Sequence, residues 1–323
     1  MSFTGRLTDE QFIHAFKQYG GAQAMADAIG MKVRGIHGRR RAIERRTGQP
    51  LLSTSPRSPD IHITTNLPRR GIRAIPDTIR GTVIVFSDAH YWPGEPSTAH
   101  KALVRLCKQL QPVMIVANGD LMDGARLCSQ IPAGWVKSQA PTIKQEIEAL
   151  QERMTEVALA VPKRCLRIRT IGNHDIRLER TLAMRVPEIE GLPHTTLSDY
   201  IGEWEATWSI MVNDNTMIKH RQAGGVHAAY NNTMKGGKSM VTGHLHRLIV
   251  TPWADYNGTR WGVDTGTLAE VGPENPAFEY DEDNARPWTS GFAVLTYDSS
   301  GMLLPPELVT VIGGRAYFRG KEV

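Results

Sequence analysis

From residue 81 onward, short apolar runs stop abruptly at polar residues. Residues 83–87 (VIVFS) precede Asp88, 113–117 (VMIVA) precede Asn118-Gly119-Asp120, and 166–171 (LRIRTI) precede Gly172-Asn173-His174-Asp175. Residues 216–219 (TMIK) precede His220, and 239–242 (SMVT) precede Gly243-His244-Leu245-His246. Apolar runs this short, bounded by turn residues, predict buried strands. Residues 98–110 and 142–161 lie between them at helical spacing and predict crossover helices. Residues 292–297 and 308–312 predict closing strands after a polar loop at 275–287. The alternation predicts an α/β domain. In open α/β sheets functional groups gather beyond the carboxyl ends of strands, and each polar cluster falls there.

The first eighty residues read differently. Thr8 and Asp9 signal a helix start, and Phe12, Ile13, Phe16 and Tyr19 share one face before Gly20-Gly21 breaks the run. Ala22, Ala24, Met25, Ala28 and Ile29 predict a second helix, Gly30 a turn, and Val33, Ile36, Arg40 and Ile43 a third. Pro50, Pro56, Pro59, Pro68 and Pro76 then punctuate a stretch with little periodicity. Three regions follow: a helical segment 1–50, a proline-rich linker 51–80 and an α/β domain 81–323. No internal repeat is visible.

Composition narrows the class. Hydrophobic residues make up 41% of the 323, and no apolar run is long enough to span a bilayer. The opening MSFTGRLTDEQF lacks the apolar core of a signal peptide. Three scattered cysteines, Cys107, Cys128 and Cys165, make neither a disulfide framework nor a zinc ribbon. A cytoplasmic location without a membrane partner is the expectation; composition says nothing of oligomeric state. Charge changes the picture more. Residues 1–50 hold nine Lys and Arg against four Asp and Glu, a surplus equal to the whole chain's +5. A polyanion partner is therefore sought at the front.

Helix, glycine turn and basic helix make the plan of a helix-turn-helix. The stretch 21–46 resembles helix-turn-helix domains of the resolvase or regulator type. That resemblance implies DNA as a partner, with Lys32, Arg34, His37, Arg39, Arg40, Arg41, Arg45 and Arg46 facing phosphates or a groove. RNA or another polyanion, a solvated basic helix and an arm that contacts protein are the alternatives. Gly35 and Gly38 weaken the motif, since each costs about 1 kcal/mol relative to Ala inside a helix.

The polar clusters mix carboxylate, imidazole and amide oxygen, a donor set for Mn²⁺, Fe or Zn²⁺, and no cysteine competes for a softer ion. In an extended segment, Asp88-x-His90 and His244-x-His246 would each point both side chains the same way. The glycines before Asp120, Asn173 and His244 predict sharp turns. A lone histidine or a lone Gly-Asp is more often structural than functional. Five such pieces in order, each after a predicted strand, are another matter. The series D-x-H, G-D-x-x-D, G-N-H-[DE], H and G-H-x-H resembles the calcineurin-like metallophosphoesterase superfamily over roughly residues 82–270.

That resemblance implies a four-layer α-β-β-α sandwich, with a small helical domain in front, and two adjoining divalent ions, Mn²⁺ first, Fe or Zn²⁺ otherwise. Asp88, His90 and His246 would hold one, Asn173, His220 and His244 the other, and Asp120 would bridge them. His174 would be the general acid and Asp123 the carboxylate that orients it. A metal pair of this kind activates water and clamps phosphoryl oxygens. His220 is followed by Arg221 where the family usually has glycine, and His227 is its rival; His220 is preferred because it directly follows a strand.

Protein phosphatases of this superfamily carry G-D-x-x-D-R-G and G-N-H-E. Here Gly124 follows Asp123, and the third motif ends in Asp175, so the arginine that grips a phosphomonoester is missing. Arg177 and Arg247 could replace it by position, although a surface role suits each better. The chain resembles the DNA-repair exonuclease and phosphodiesterase side of the superfamily. A DNA nuclease or DNA-end-processing phosphodiesterase is the reading. A phosphomonoesterase or small-molecule phosphodiesterase, its front end serving location only, is the alternative. A regulatory DNA-binding protein with a vestigial site is a third class, against which the intact ligand set argues.

Overall fold

The computed structural model describes residues 7–49, 51, 73–76, 78–128, 138–189, 191–271 and 287–323. The predicted linker lies mostly outside these residues, as does the predicted loop up to residue 286. The chain divides into two compact units, Met1–Asn66 and Leu67–Val323. No helix of the described residues is long and apolar enough to cross a membrane.

Among the described residues the first unit holds three helices, α1 (Asp9–Gln18), α2 (Ala22–Ile29) and α3 (Val33–Thr47). Thr8 caps α1 through a capping box with Gln11, satisfying amides that a helix start leaves free. Gly30 ends α2 at φ 71°, a left-handed position that glycine adopts without steric cost. Phe12, Phe16, Ala22, Met25, Ala26, Ile36 and Ile43 make the buried core. Tyr19, expected on the apolar face, is exposed. So are Ala24 and Ala28; Ala26 is buried instead.

In the second unit, β1 (Gly81–Phe86), β2 (Met114–Asn118), β3 (Leu166–Thr170) and β4 (Glu205–Thr207) pair in parallel. On the other side of β1, antiparallel strands β10 (Gly291–Tyr297), β11 (Glu307–Ile312), β12 (Arg315–Phe318) and β13 (Lys321–Glu322) complete an eight-stranded sheet. A second sheet runs β5-β6-β7-β9-β8, built from Ile210–Val212, Thr216–Ile218, Ser239–Thr242, Gly258–Thr265 and Leu248–Asp255 in that spatial order. The stretch before Gly81, predicted as linker, takes part in this unit: Ala74 bridges to Ile210, and Ile79 is buried.

Alternation along the strands explains the layers. Val83, Val85, Met114, Val116, Ala293 and Leu295 face the second sheet and pack with Val212, Ile218, Val241 and Val263. Ile84, Phe86, Ile115, Ala117, Phe292 and Val294 point the other way. They are covered by Leu103 and Leu106 of α4 (Thr98–Leu110) and by Leu150, Met154 and Val157 of α5 (Ile143–Ala160). Between β3 and β4, α6 (Arg177–Arg185) carries no buried residue. On the outer face of the second sheet, α7 (Ala228–Gly236) packs against β7, β8 and β9. The order is helix, sheet, sheet, helix, the four-layer plan expected.

Candidate active site

The turns after β1, β2 and β3 carry Asp88 and His90, Asp120 and Asp123, and Asn173 and His174. Those after β6 and β7 carry His220, and His244 and His246. The site therefore draws on the carboxyl ends of strands from both sheets. The backbone there is not extended, so the condition under which Asp88 and His90, or His244 and His246, would point the same way is not met. Asp88, His90, Asp120, His244 and His246 have φ of 51°, 40°, 52°, 73° and 57°. The chain turns at each of these ligand candidates. Left-handed backbone at residues other than glycine costs on the order of 1–3 kcal/mol each, and Asp and His are among those that tolerate it. Cross-strand bonds hold the turns: Asp88 N donates to Gly119 O at 2.9 Å, and His90 N to Asp120 O at 3.1 Å.

Of the three glycines expected at sharp turns, only Gly119 has positive φ, at 83°. Gly172 and Gly243 serve another need. A Cβ on Gly172 would strike Asp120, and one on Gly243 would strike Ser87 and Asp88. Their lack of a side chain gives the carboxylates room to converge.

Among the described residues three groups could hold an ion, and two of them match the expected ligand sets. In one, Asp88, His90 and His246 bring ligand atoms within 4.8 Å of one another, and in the other Asp120, His220 and His244 do so. His246 Nε2 stands 3.1 Å from Asp88 Oδ1 and 3.3 Å from His90 Nε2. His220 Nε2 stands 3.0 Å from Asp120 Oδ2. His227, the rival, is exposed at the start of α7. His220 Nδ1 donates to Asn118 O at 2.8 Å, so Nε2 of the neutral ring presents a lone pair to a carboxylate oxygen. That juxtaposition calls for a cation. A proton can supply it: burial pulls the pKa of His220 down, but the Asp120 carboxylate pushes it up to about 10. A divalent ion would fit the same gap. Asn173 Oδ1 is buried without a hydrogen-bond partner, which leaves it open as a ligand atom. Buried polar atoms are rarely left unpaired, and the donor set suits a divalent metal.

Beside the ligand groups, His174 Nδ1 lies 3.0 Å from Asp123 Oδ1 and 2.9 Å from Asp123 O. Both partners are acceptors, so Nδ1 carries the hydrogen and Nε2 faces the site, 3.9 Å from Asp120 Oδ2. Burial opposes charge on His174, but Asp123 outweighs it and lifts the pKa above the usual imidazole value. Burial likewise opposes charge on Asp123, and His174 and His90 hold its carboxyl well below the usual range.

Arg177, weighed above as a surface residue, reaches this pair. Its Nη1 donates to Asp123 O at 2.6 Å, and Nη2 stands 3.0 Å from His174 Nε2. Its Cδ passes the open face of Gly124, 3.2 Å from where a Cβ would stand. An arginine from α6 thus reaches the Asp123–His174 pair, so the absence of one directly after Asp123 no longer argues against a phosphomonoester. Arg247 instead donates to Val226 O at 3.2 Å.

Several supporting groups had no assigned role. Asp175 accepts from Asp120 N at 3.1 Å, Leu121 N at 2.8 Å and Gly172 N at 2.8 Å, tying two motifs together. Thr267 Oγ1 donates to Asp88 O at 2.6 Å, and the Trp288 ring lies 4.4 Å from that of His246. Fully buried Glu146 of α5 accepts from Gly124 N at 2.6 Å and so braces the turn after Asp123. Asp175 ends the third motif, which marked it; Trp288 and Glu146 carry no local signal.

The basic residues of α3 divide. Arg39 pairs with Asp9 at 3.6 Å, donates to Leu7 O and lies over the Phe12 ring. Arg46 also pairs with Asp9, and Arg40 pairs with Glu44 at 3.4 Å and lies over Phe16. These three are engaged within the unit. Lys32, Arg34, Arg41 and Arg45 are exposed; His37 is half-buried. Arg34, Gly38, Arg41 and Arg45 share one face at helical spacing.

A family model described as calcineurin-like phosphoesterase matches residues 81–261. The Gene 54 protein of Mycobacterium phage L5 is 28% identical over 260 residues, covering 74% of this chain and 97% of that protein. The Gene 54 protein of Mycobacterium phage D29 is 28% identical over 255 residues, with 72% and 94% covered. Among solved structures, wild-type Vps29 complexed with zinc from Entamoeba histolytica is 14% identical with a TM-score of 0.39, covering 75% of this chain and 98% of that one. The nuclease MPE of Pseudomonas putida is 12% identical with a TM-score of 0.29, covering 69% and 86%.

Proposed function

The chain belongs to the calcineurin-like phosphoesterase family and is a hydrolase acting on phosphoester bonds, and from that premise we propose that its substrate is a phosphodiester in DNA. The observation that carries DNA is the exposed basic face of α3, where Arg34, Arg41 and Arg45 stand in line. Such a face attracts polyanions and releases their counterions. We also infer a cytoplasmic location, in keeping with three cysteines, two of them buried.

Asp88, His90 and His246 would hold one divalent ion, and Asn173, His220 and His244 the other, with Asp120 between them; Mn²⁺ is the first choice, Fe or Zn²⁺ the alternatives. Ions so placed supply an activated water and neutralise charge on the phosphoryl oxygens. His174 turns Nε2 toward the leaving oxygen because Asp123 occupies Nδ1, and it gives that oxygen a proton as the bond breaks. Asp123 keeps the ring in this orientation and stabilises its charged form. Gly172 and Gly243 keep the carboxylates close, and Asp175 holds the two turns together.

A second reading, a phosphomonoesterase, is favoured by Arg177, whose guanidinium stands beside Gly124 where a terminal phosphate could use it. The test is a substrate panel. Mn²⁺-loaded full chain should cut plasmid, linear or single-stranded DNA and hydrolyse bis-p-nitrophenyl phosphate, with little release from a phosphoserine peptide. If every DNA form stays intact while the phosphopeptide or a nucleotide loses phosphate readily, the monoesterase reading replaces this one.

A further inference from the structure

We propose that Arg177 is a substrate-binding residue that grips a non-bridging phosphoryl oxygen; this rests on the phosphoesterase reading of the site. Three observations bear on it. Nη2 of Arg177 and Nε2 of His174 are 3.0 Å apart, so an oxygen that meets one atom is within reach of the other. Nη1 is anchored on Asp123 O at 2.6 Å and pairs with Asp123 Oδ1 at 3.6 Å, which fixes the guanidinium over the Asp123–His174 pair. About a fifth of the side chain, 21%, stays exposed, so the group meets solvent and anything that enters from it.

The tautomer of His174 sharpens the point. Nδ1 holds its hydrogen against Asp123, so the neutral ring accepts at Nε2 from Arg177. To protonate the leaving oxygen Nε2 must itself carry a proton, and with it the ring no longer accepts from Arg177. The released N–H of Nη2 then has a phosphoryl oxygen of the same substrate as its nearest acceptor. A guanidinium suits that exchange, because its donors lie in one rigid plane and keep one bond while another changes partner. Gly124 is part of the arrangement. A Cβ there would crowd Arg177 Cδ at 3.2 Å, and at φ 63° a side chain would also be strained. The glycine after Asp123 and the arginine two residues after Asp175 act as a pair: one clears the space and the other fills it.

Inorganic phosphate is the probe. Its affinity for the full-length, Mn²⁺-loaded protein is measured by calorimetry, metal content by elemental analysis, and kcat/KM with bis-p-nitrophenyl phosphate and p-nitrophenyl phosphate. Arg177→Gln should weaken phosphate binding at least about tenfold with metal content unchanged, and lower kcat/KM on both esters. Arg177→Lys, which keeps the charge, should fall between. Added guanidinium should restore part of the lost phosphate affinity in Arg177→Ala, a rescue that a purely structural arginine would not show. If the wild-type protein binds phosphate and the Gln and Lys variants bind it equally well, the assignment is wrong and the phosphoesterase reading stands. If the wild-type protein neither binds phosphate nor hydrolyses either ester, the reading itself fails and takes the assignment with it.

Discussion

Asp120 is the carboxylate at which the site's interactions meet. Its Oδ2 lies 3.0 Å from His220 Nε2, and its Oδ1 accepts from His174 N at 2.7 Å. Burial opposes its charge, yet His220 and the neighbouring imidazoles hold its carboxyl well below the usual range. Asp120→Ala should therefore reduce bound metal, seen by elemental analysis, and abolish hydrolysis. His174→Ala should leave metal content nearly intact and lower kcat about 10²–10⁴-fold, the usual contribution of a positioned acid. Unchanged metal in Asp120→Ala would count against a bridging role. At this scale the sequence was highly legible for residues in short motifs. Asp88, His90, Asp120, Asn173, His174, His220, His244 and His246 could all be named, because each sits within a few residues of a strand end. Glu146 and Trp288 could not, since each reaches the site from a distant segment.

Helices α3 and α5 each carry a testable consequence. On α3 the structure separates arginines that hold the unit from those that face outward. Replacing Arg41 and Arg45 with Gln should weaken DNA binding and lower the slope of log affinity against log salt by about 2, one for each phosphate no longer neutralised. Arg39→Gln should instead loosen the helices, reducing amide protection in α3, because it loses Asp9, Leu7 O and the Phe12 face together. Gly38 has nothing within 4 Å of a Cβ position. Gly38→Ala should therefore stabilise the helix by roughly 0.5–1 kcal/mol, and weaker DNA binding in that variant would show that the bare backbone lies against phosphate. On α5, burial lifts the Glu146 carboxyl to about 7, against a bond from Gly124 N that lowers it. The native state then holds this proton more tightly than the unfolded chain does. The stabilisation is fully present below the ordinary 4.5 and is lost as pH rises to about 7. It amounts to roughly 3 kcal/mol. Urea unfolding of wild type and Glu146→Gln at pH 4.5 and 7.5 measures it: the wild type should lose stability relative to the variant across that interval.

For the whole molecule, the chain divides at residue 66 into a helical unit with the basic surplus and a larger unit with the groups that could hold metal. If the first unit concentrates DNA for the second, replacing Arg34, Arg41 and Arg45 together should slow DNA cleavage at low salt. It should leave turnover of bis-p-nitrophenyl phosphate unchanged, and the difference should shrink as salt rises. Equal rates on DNA at every salt concentration would mean that the arginines do not serve cleavage. What the sequence determined by itself was whatever is encoded locally. Apolar runs, caps and polar clusters placed β1, β2, β3, β6, β7, β10, β11, α4 and α5 to within about a residue or two, as short-range periodicity allows. The same locality allowed the α/β class and the polar clusters at the strand ends to be read. Short or edge elements such as β4, β5 and β13 escaped, because their pairing comes from neighbours far along the chain. Only tertiary structure decided that ligand-bearing turns are left-handed, that Gly172 and Gly243 exist for close approach, and that Arg39 and Arg46 serve Asp9. It alone brought Arg177 to His174, past the open face of Gly124. In each case the deciding interaction joins segments whose distance in space no local pattern records.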